Sequence, residues 1–167
     1  MDMTGEHRIA APRAEVWAAL NDAEVLRACI PGCEALEKIS PTEFHARVVQ
    51  KIGPVKARFE GGVELVNIAA PESYTIQGEG KGGVAGFAKG AADVQLAADG
   101  DATVLTYQVH AMVGGKLARL GSRLINSSAK KLAARFFDNF EAVLHGETPD
   151  TAEAGAEPET GETAATA

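Results

Sequence analysis

Apolar residues recur every three or four positions between Lys116 and His145, which is the spacing of a helix with one buried face. That face comprises Leu117, Leu120, Leu124, Ser128, Leu132, Phe136, Phe140 and Val143. His145 followed by Gly146 is typical of a helix C-terminus. The pattern predicts one helix about 45 Å long, with a bend at two weak helix-forming sites, Gly121 and residues 126–128.

The pattern changes to a period of two between residues 34 and 113, which is typical of strands with one solvated and one covered face. Turn residues separate the runs at Ser40-Pro41, Gly53-Pro54, Ala70-Pro71 and Asp99-Gly100-Asp101. A first strand over residues 1–9 and two short helices, the second over residues 23–29, precede them. The predicted fold is α+β, a helix-grip fold in which a curved antiparallel sheet, with five or six strands after the helices, wraps around the long C-terminal helix.

The covered face of the predicted sheet is rich in small residues. Of its 23 positions, eight are Gly or Ala: Ala46, Ala57, Gly61, Gly78, Ala88, Gly90, Ala92 and Ala111. Protein interiors pack densely, and unfilled voids are destabilising. Either the helix lies very close to the sheet, or an apolar cavity remains, which is the kind of site that binds small ligands.

The glycine-rich segment 78–90 formally matches a dinucleotide-binding fingerprint and part of a phosphate loop. Both motifs hold phosphate at the N-terminus of a helix, whereas residues 88–96 alternate as a strand does. We therefore interpret the segment as the end of a hairpin. Its apolar residues are expected to be exposed and to gate a cavity or contact a partner. The candidate gate is Val84, Ala85, Gly86 and Phe87.

Cys29 and Cys33 flank a Pro-Gly turn, and no further ligand residues lie near them in the sequence. We therefore expect two small buried residues that pack around a turn, and no metal site. The histidines are scattered along the chain, and His45 and His110 fall on the solvated face of the predicted strands.

Polar groups are rare on the covered face of the meander strands. Gln50 is the only charged or amide side chain there, and Tyr74 and Tyr107 supply hydroxyl groups. An acid–base enzyme needs a carboxylate or a histidine at such a position. The pattern therefore favours binding over catalysis.

The charge of the chain lies in its C-terminal segment. Residues 147–167 carry six acids and no base, so we predict a domain over residues 1–146 followed by a disordered acidic tail. Without the tail the formal charge changes from −7 to −1, which argues against binding to nucleic acid.

The sequence shows no apolar run after its first Met and no stretch of about 18 uncharged apolar residues, so we expect a cytoplasmic protein. Lys130 and Lys131, with Arg123 and Arg135, form either the solvated side of the helix or a contact to anionic lipid or an acidic partner.

Several segments between residue 3 and about residue 144 carry a resemblance to a known family. They are Met3-Thr4-Gly5-Glu6, Ala11-Pro12 with Val16-Trp17, Leu20-Asn21-Asp22, Cys29-Ile30-Pro31-Gly32-Cys33, Ile52-Gly53-Pro54-Val55, Gly86-Phe87-Ala88-Lys89-Gly90 and Gly114-Gly115-Lys116-Leu117-Ala118. Through them the chain resembles the CoxG family of carbon monoxide dehydrogenase subunits, a branch of the START-like, SRPBCC helix-grip superfamily.

The resemblance implies a non-catalytic accessory protein of a molybdenum-containing hydroxylase of the CO dehydrogenase type, involved in bringing that enzyme to the cytoplasmic membrane or in its maturation. It also implies an apolar cavity under the C-terminal helix. Many members carry a C-terminal extension that approaches the membrane, whereas residues 147–167 here are acidic and lack an apolar face.

The main hypothesis is an apolar-ligand carrier and adaptor, with a respiratory quinone such as menaquinone as the best candidate ligand and no covalent cofactor. The residues expected to bind it are Gln50, Phe59, Gly61, Tyr74, Phe87, Tyr107, Val109, Ala111, Leu120, Leu124 and Ser128. Gln50 or a tyrosine hydroxyl is expected near the ring oxygens, and the glycine-rich hairpin end at the entrance. The alternatives are a docking or assembly factor with a closed groove, and a START-like cyclase or hydrolase.

Overall fold

The computed structural model describes residues 1–149 and contains one seven-stranded sheet and three α-helices within them. The elements are β1 (Asp2–Ile9), α1 (Arg13–Leu20), α2 (Ala23–Cys29), β2 (Cys33–Ser40), β3 (Glu43–Ile52), β4 (Val55–Ala69), β5 (Ser73–Lys81), β6 (Phe87–Asp99), β7 (Ala102–Gly114) and α3 (Ser122–Leu144). Two 3₁₀ turns, Gly83–Ala85 and Gly115–Leu120, precede β6 and α3. The predicted helix-grip fold is confirmed. The predicted disordered tail lies outside the described residues from residue 150 onward.

The sheet is antiparallel throughout, with the strand order β1-β7-β6-β5-β4-β3-β2. Its register places the predicted covered residues on one face. One row of that face runs across five strands through Phe44, Val63, Gly78, Gly90 and Ala111. The period-two pattern of the sequence therefore predicted both the strands and their faces correctly.

The meander gives the sheet two different ends. We call the end with the turns after β2, β4 and β6 the closed end, because the large buried side chains collect there. They are Ile9, Phe44, Leu65, Tyr74, Val94, Leu96 and Leu105 from the sheet, with Val16, Leu20 and Phe140 from the helices. The open end carries the β3–β4 turn, the β5–β6 turn and residues 114–121, which lead into α3.

The predicted helix from Lys116 is wrong at its start. Residues 115–120 form a 3₁₀ turn, and α3 begins only at Ser122, because Gly121 has a φ of +89°. This left-handed region favours glycine and lies outside the helical range. The bend predicted at Gly121 is therefore a break. α3 continues without a break through residues 126–128, and the bend predicted there stays a prediction.

Contacts at both ends of α3 fix its path across the covered face. At the closed end, Asn139 Nδ2 donates to the Cys29 carbonyl at 2.9 Å, and His145 Nε2 lies 3.0 Å from the Ala10 carbonyl oxygen. At the open end, Leu124 packs over the β3–β4 turn, where a Cβ added at Gly53 would lie 2.7 Å from Leu124 Cδ2. The helix thus runs from the turn after β3 to the end of β1.

We predict that Asn139→Ala lowers the free energy of unfolding by about 1–3 kcal/mol, because the Cys29 carbonyl loses a buried hydrogen-bond donor. Urea denaturation measures the change. Asp138→Ala, at the exposed neighbouring position of the same helix, is the matched control and should stay within about 0.5 kcal/mol. Equal stability of the two variants would contradict this role for Asn139.

Candidate functional site

The open half of the covered face is apolar but only half-buried. Its half-buried members include Ala46, Phe59, Gly61, Val63, Gly80, Ala88, Gly90, Ala92, Val109, Ala111 and Val113. On α3, the buried residues are Asn139 and Phe140, which lie toward the closed end. The helix therefore does not seal the open half of the sheet. We call the space between α3 and this half of the covered face the groove.

The side of α3 that faces the groove is a stripe with three- and four-residue spacing. It comprises Asn126, Ala129, Ala133, Phe137 and Phe140, and the larger Ile125, Leu132 and Phe136 beside it are half-buried as well. Phe140 is fully buried, and the Phe137 ring stacks on residues of the sheet, so the whole stripe faces the covered side. Its small members are half-buried, and they lie opposite the small residues of the sheet.

This stripe differs from the predicted one in its open-end half. Leu120 belongs to the 3₁₀ turn before the helix break, and Leu124 packs at the β3–β4 turn. Ser128 is half-buried in α3 but lies outside the stripe. The physical reason is the break at Gly121: without a continuous helix from Lys116, the phase of the apolar pattern cannot be carried into α3.

Three stacked rings form the deep wall of the groove. The His7 and Phe137 ring centroids are 4.1 Å apart with an interplanar angle of 25°, and those of Tyr107 and Phe137 are 5.8 Å apart. His7 reaches this face because β1 pairs with β7, with Gly5 opposite Tyr107. The expectation of no ionisable side chain on this face is therefore wrong. Sequence reasoning missed His7 because the pairing with β7 decides which side chains of β1 lie on the covered face. That pairing is visible only in the structure.

Two predicted ligand-binding residues serve the packing of the domain. Gln50 is buried, and its Nε2 donates to the Pro31 carbonyl at 2.8 Å. Tyr74 is 5% exposed and meets the Trp17 ring edge-on at 5.2 Å, in the core at the closed end. Burial raises the pKa of the Tyr74 phenol. Tyr107, in contrast, is half-buried in the groove wall, where burial also raises its phenol pKa.

The predicted gate is exposed at only one of its residues. Val84 is 85% exposed, whereas Ala85 is 4% exposed, so the prediction of an exposed Ala85 is wrong. The Phe87 ring packs against Gly114, and the backbone at Gly86 meets that of residues 114–115. The β5–β6 turn therefore packs on the segment that leads into α3, which explains why Ala85 is covered.

The turn between Cys29 and Cys33 has a structural role. Both thiols are free, and burial raises the pKa of Cys29 to about 12 and also raises that of Cys33. Asn139 and Gln50 donate hydrogen bonds to carbonyl groups within this turn. Among residues 1–149, no group of three or more His, Cys, Asp or Glu side chains is arranged to hold a metal ion.

Six basic residues lie at the open end of the sheet. Lys51, Lys56, Lys81, Lys116, Arg119 and Arg123 are all exposed in the three segments that border the mouth of the groove. Residues 51–56, 81–87 and 114–123 contain no acid, and the exposed Glu60 lies opposite Lys81 on the neighbouring strand. We call these six residues the basic rim. The sequence prediction found only Arg123 of them. Lys116 and Arg119 precede it in the same segment, and the sheet topology brings Lys51, Lys56 and Lys81 to the same end.

The solvated face of the sheet carries a separate depression of about 680 Å³. Its polar lining includes Glu43, His45, Glu64, Gln77, Glu79, Lys89 and His110. His45 and His110 are exposed, as their parity predicts, and His110 Nδ1 lies 2.8 Å from Asp2 Oδ1. This pairing lowers the pKa of the Asp2 carboxyl. The depression has polar and apolar lining residues and opens away from the groove.

Comparisons with known proteins identify relatives of this fold. The family profile described as the CoxG subunit of carbon monoxide dehydrogenase matches residues 5–145. A conserved protein from Geobacillus kaustophilus is similar in structure, with 31% identity, a TM-score of 0.82, and coverage of 87% of this chain and 96% of that chain. No curated protein matches the sequence.

Two more distant structures share the fold. A START superfamily protein from Mycobacterium smegmatis has 14% identity and a TM-score of 0.63, over 87% of this chain and 97% of that chain. A STAR-related lipid transfer protein from Xanthomonas axonopodis has 22% identity and a TM-score of 0.60, over 86% of this chain and 85% of that chain. Within the described residues, none of the helices is long and apolar enough to span a bilayer.

We predict that Gln50→Leu lowers the free energy of unfolding by about 1–3 kcal/mol, because the Pro31 carbonyl loses its buried donor. Urea denaturation measures this change. Gln77→Leu, an exposed amide on the solvated face, is the matched control and should have little effect. If Gln50→Leu had the same free energy of unfolding as the wild type, this packing role of Gln50 would be contradicted. Its amide would then again be a candidate for binding the ligand.

Proposed function

Because the chain belongs to the CoxG family of carbon monoxide dehydrogenase subunits, we propose that it is a non-catalytic accessory protein of a molybdenum-containing CO dehydrogenase-type hydroxylase. In this proposal it holds an apolar, membrane-derived molecule in the groove and links the enzyme to the membrane. A respiratory quinone such as menaquinone is the best candidate, because an enzyme that oxidises CO needs an electron acceptor.

The half-buried apolar groove is the observation that carries the proposal. Its sheet side is lined by small residues such as Ala92 and Ala111, and its helix side by Ala129 and Ala133. A molecule with an apolar chain would remove this surface from water and gain about 25 cal/mol per Å² buried. Few polar groups line the groove, which fits a prenyl chain better than a sugar or a nucleotide.

The basic rim supports contact with the membrane at the mouth of the groove. A Lys or Arg near an anionic bilayer contributes about 1 kcal/mol. Val84, at the tip of the β5–β6 turn, is 85% exposed beside this rim and adds an apolar contact. A protein docked in this way would hold its groove open toward the bilayer, so that a lipid could enter without crossing water.

A docking factor without a ligand is the second candidate. The depression on the solvated face favours it, since this surface is concave and remains available when the groove is filled. A cyclase or hydrolase is less well supported. His7 faces the groove, but it is stacked on Phe137, and no described carboxylate is hydrogen-bonded to it as an orienting partner would be.

The proposal predicts that the purified protein carries or takes up a lipophilic molecule. Native mass spectrometry before and after organic extraction, followed by titration with menaquinone, measures this. Ala92→Leu should weaken menaquinone binding about tenfold or more, because the added atoms occupy the groove at a cost of about 1–3 kcal/mol. Ala91→Leu, on the opposite face of the same strand, is the matched control.

Gly61 is not a suitable filling position, because a Cβ there would collide with the Glu79 carbonyl of the neighbouring strand. Absence of any lipophilic molecule, together with no uptake of menaquinone, would exclude the carrier role. If Ala92→Leu loses menaquinone but still copurifies with the dehydrogenase and still supports electron transfer to the membrane, the docking role would stand alone.

The rim predicts a specific dependence on lipid charge. Lys81→Glu combined with Lys116→Glu should weaken binding to phosphatidylglycerol-containing vesicles by more than about 30-fold. Loss of two rim bases costs about 2 kcal/mol, and the two added carboxylates are repelled by the anionic lipid. Sedimentation with vesicles measures the effect. Lys130→Glu combined with Lys131→Glu, in the middle of α3, is the matched control. A larger loss in the control than in the rim variant would place the contact on the side of the helix.

A further inference from the structure

Asn126 carries a buried polar atom that the protein leaves without a partner. Its Oδ1 is the one buried side-chain nitrogen or oxygen among residues 1–149 that has no hydrogen-bond partner. The other buried side-chain amides, of Gln50 and Asn139, donate to carbonyl groups of the turn after α2. Of these three amides, Asn126 is therefore the one with a buried atom that has no hydrogen-bond partner.

The helical spacing places Asn126 on the side of α3 that faces the groove. It lies on the α3 stripe with Ala129, Ala133 and Phe137, and Phe137 stacks on His7 of the sheet. Residues that are three and four positions apart share one face of a helix. The amide is thus on the same side as the small residues that leave the groove open, in the second turn of α3 and near the mouth.

An unpartnered buried amide is unfavourable for the folded state. Asparagine is also a weaker helix former than alanine or leucine, so its place within α3 does not stem from helix stability. An apolar residue would continue the stripe without leaving a polar atom unpaired. A hydrogen bond to a ligand, which the free protein lacks, accounts for the unpaired oxygen and for the presence of an asparagine within α3.

We propose that Asn126 is the polar anchor of the groove and binds the oxygen-bearing head group of the apolar ligand; this rests on the proposed carrier function. A carboxamide offers both an N–H donor and an oxygen acceptor. The atom left unpaired is the oxygen, which accepts a hydrogen bond from the hydroxyl group of a quinol. A quinone carbonyl would instead accept from Nδ2 and leave Oδ1 unpaired. A prenyl hydrocarbon without oxygen gains nothing from the amide.

The same geometry fixes the orientation of the ligand. Asn126 lies 11 residues before Phe137, a distance of about 16 Å along the helix, toward the open end. The head group then lies near the mouth, and the apolar chain extends past Ala129 and Ala133 to the ring of His7. A reversed ligand would place its oxygens against the aromatic wall and leave Asn126 unpaired.

The test compares Asn126→Leu with the wild type for two probes, a short-chain menaquinol kept in its reduced form and the corresponding prenyl hydrocarbon. We expect Asn126→Leu to bind menaquinol about tenfold more weakly, because the hydrogen bond from the head-group hydroxyl to Oδ1 is lost. Its affinity for the hydrocarbon should stay unchanged.

The Tm of Asn126→Leu should rise by about 2–5 °C, since the unpaired amide oxygen is gone. Asn126→Gln should restore part of the menaquinol affinity, and Ser127→Leu, exposed on α3, is the matched control.

A structural role for Asn126 would instead lower the Tm and weaken both probes together, which would overturn the anchor. Unchanged menaquinol affinity in a stabilised Asn126→Leu would overturn it as well while leaving the carrier function intact. If the wild type takes up neither probe, the carrier function itself fails, and the anchor fails with it.

Discussion

The path of α3 over the sheet is fixed by contacts near its two ends and by the stacking of Phe137 on the sheet. At the closed end Phe140 is fully buried, and Asn139 and His145 reach the carbonyl groups of Cys29 and Ala10. At the open end Leu124 packs on the turn after β3. A helix fixed in this way cannot settle onto the sheet wherever the sheet offers only small side chains. The space between them is therefore a consequence of the anchoring and of the composition together.

The small residues of the sheet have a second reason to be small. A Cβ added at Gly61 or Gly90 would collide with backbone oxygens of the neighbouring strand, and one at Gly78 would press on Val63. These glycines permit a close approach of backbones in the sheet, which larger residues would prevent. Close approach of neighbouring strands and open space above the sheet thus both require small residues at these positions. Ala92 and Ala111 are the positions where extra volume enters the groove rather than the sheet.

Most of the fold could be predicted from the sequence, because period-two and period-3.6 patterns report burial directly. α2 has the predicted bounds, and the strands have the predicted faces. The sequence could not reveal the groove side of α3, because the positive φ of Gly121 resets the helical phase. His7 became visible only through the pairing of β1 with β7. In the sequence, Asn126 is only a weak helix former. That its oxygen is buried without a hydrogen-bond partner is visible only in the folded structure.

The rim, the anchor and the deep wall follow one another along the groove, and their order has a physical meaning. The rim bases would lie at the level of the lipid head groups, where a quinone also carries its oxygens. A ligand drawn in with its chain toward His7 would leave its polar head beside Asn126, close to the mouth. Its oxygens would then exchange water and head groups for one amide, while its chain exchanges lipid for an apolar wall. The head group and the chain of the ligand would each move between surroundings of similar polarity. The free energy of the ligand would then differ little between membrane and groove, which is the condition for reversible transfer.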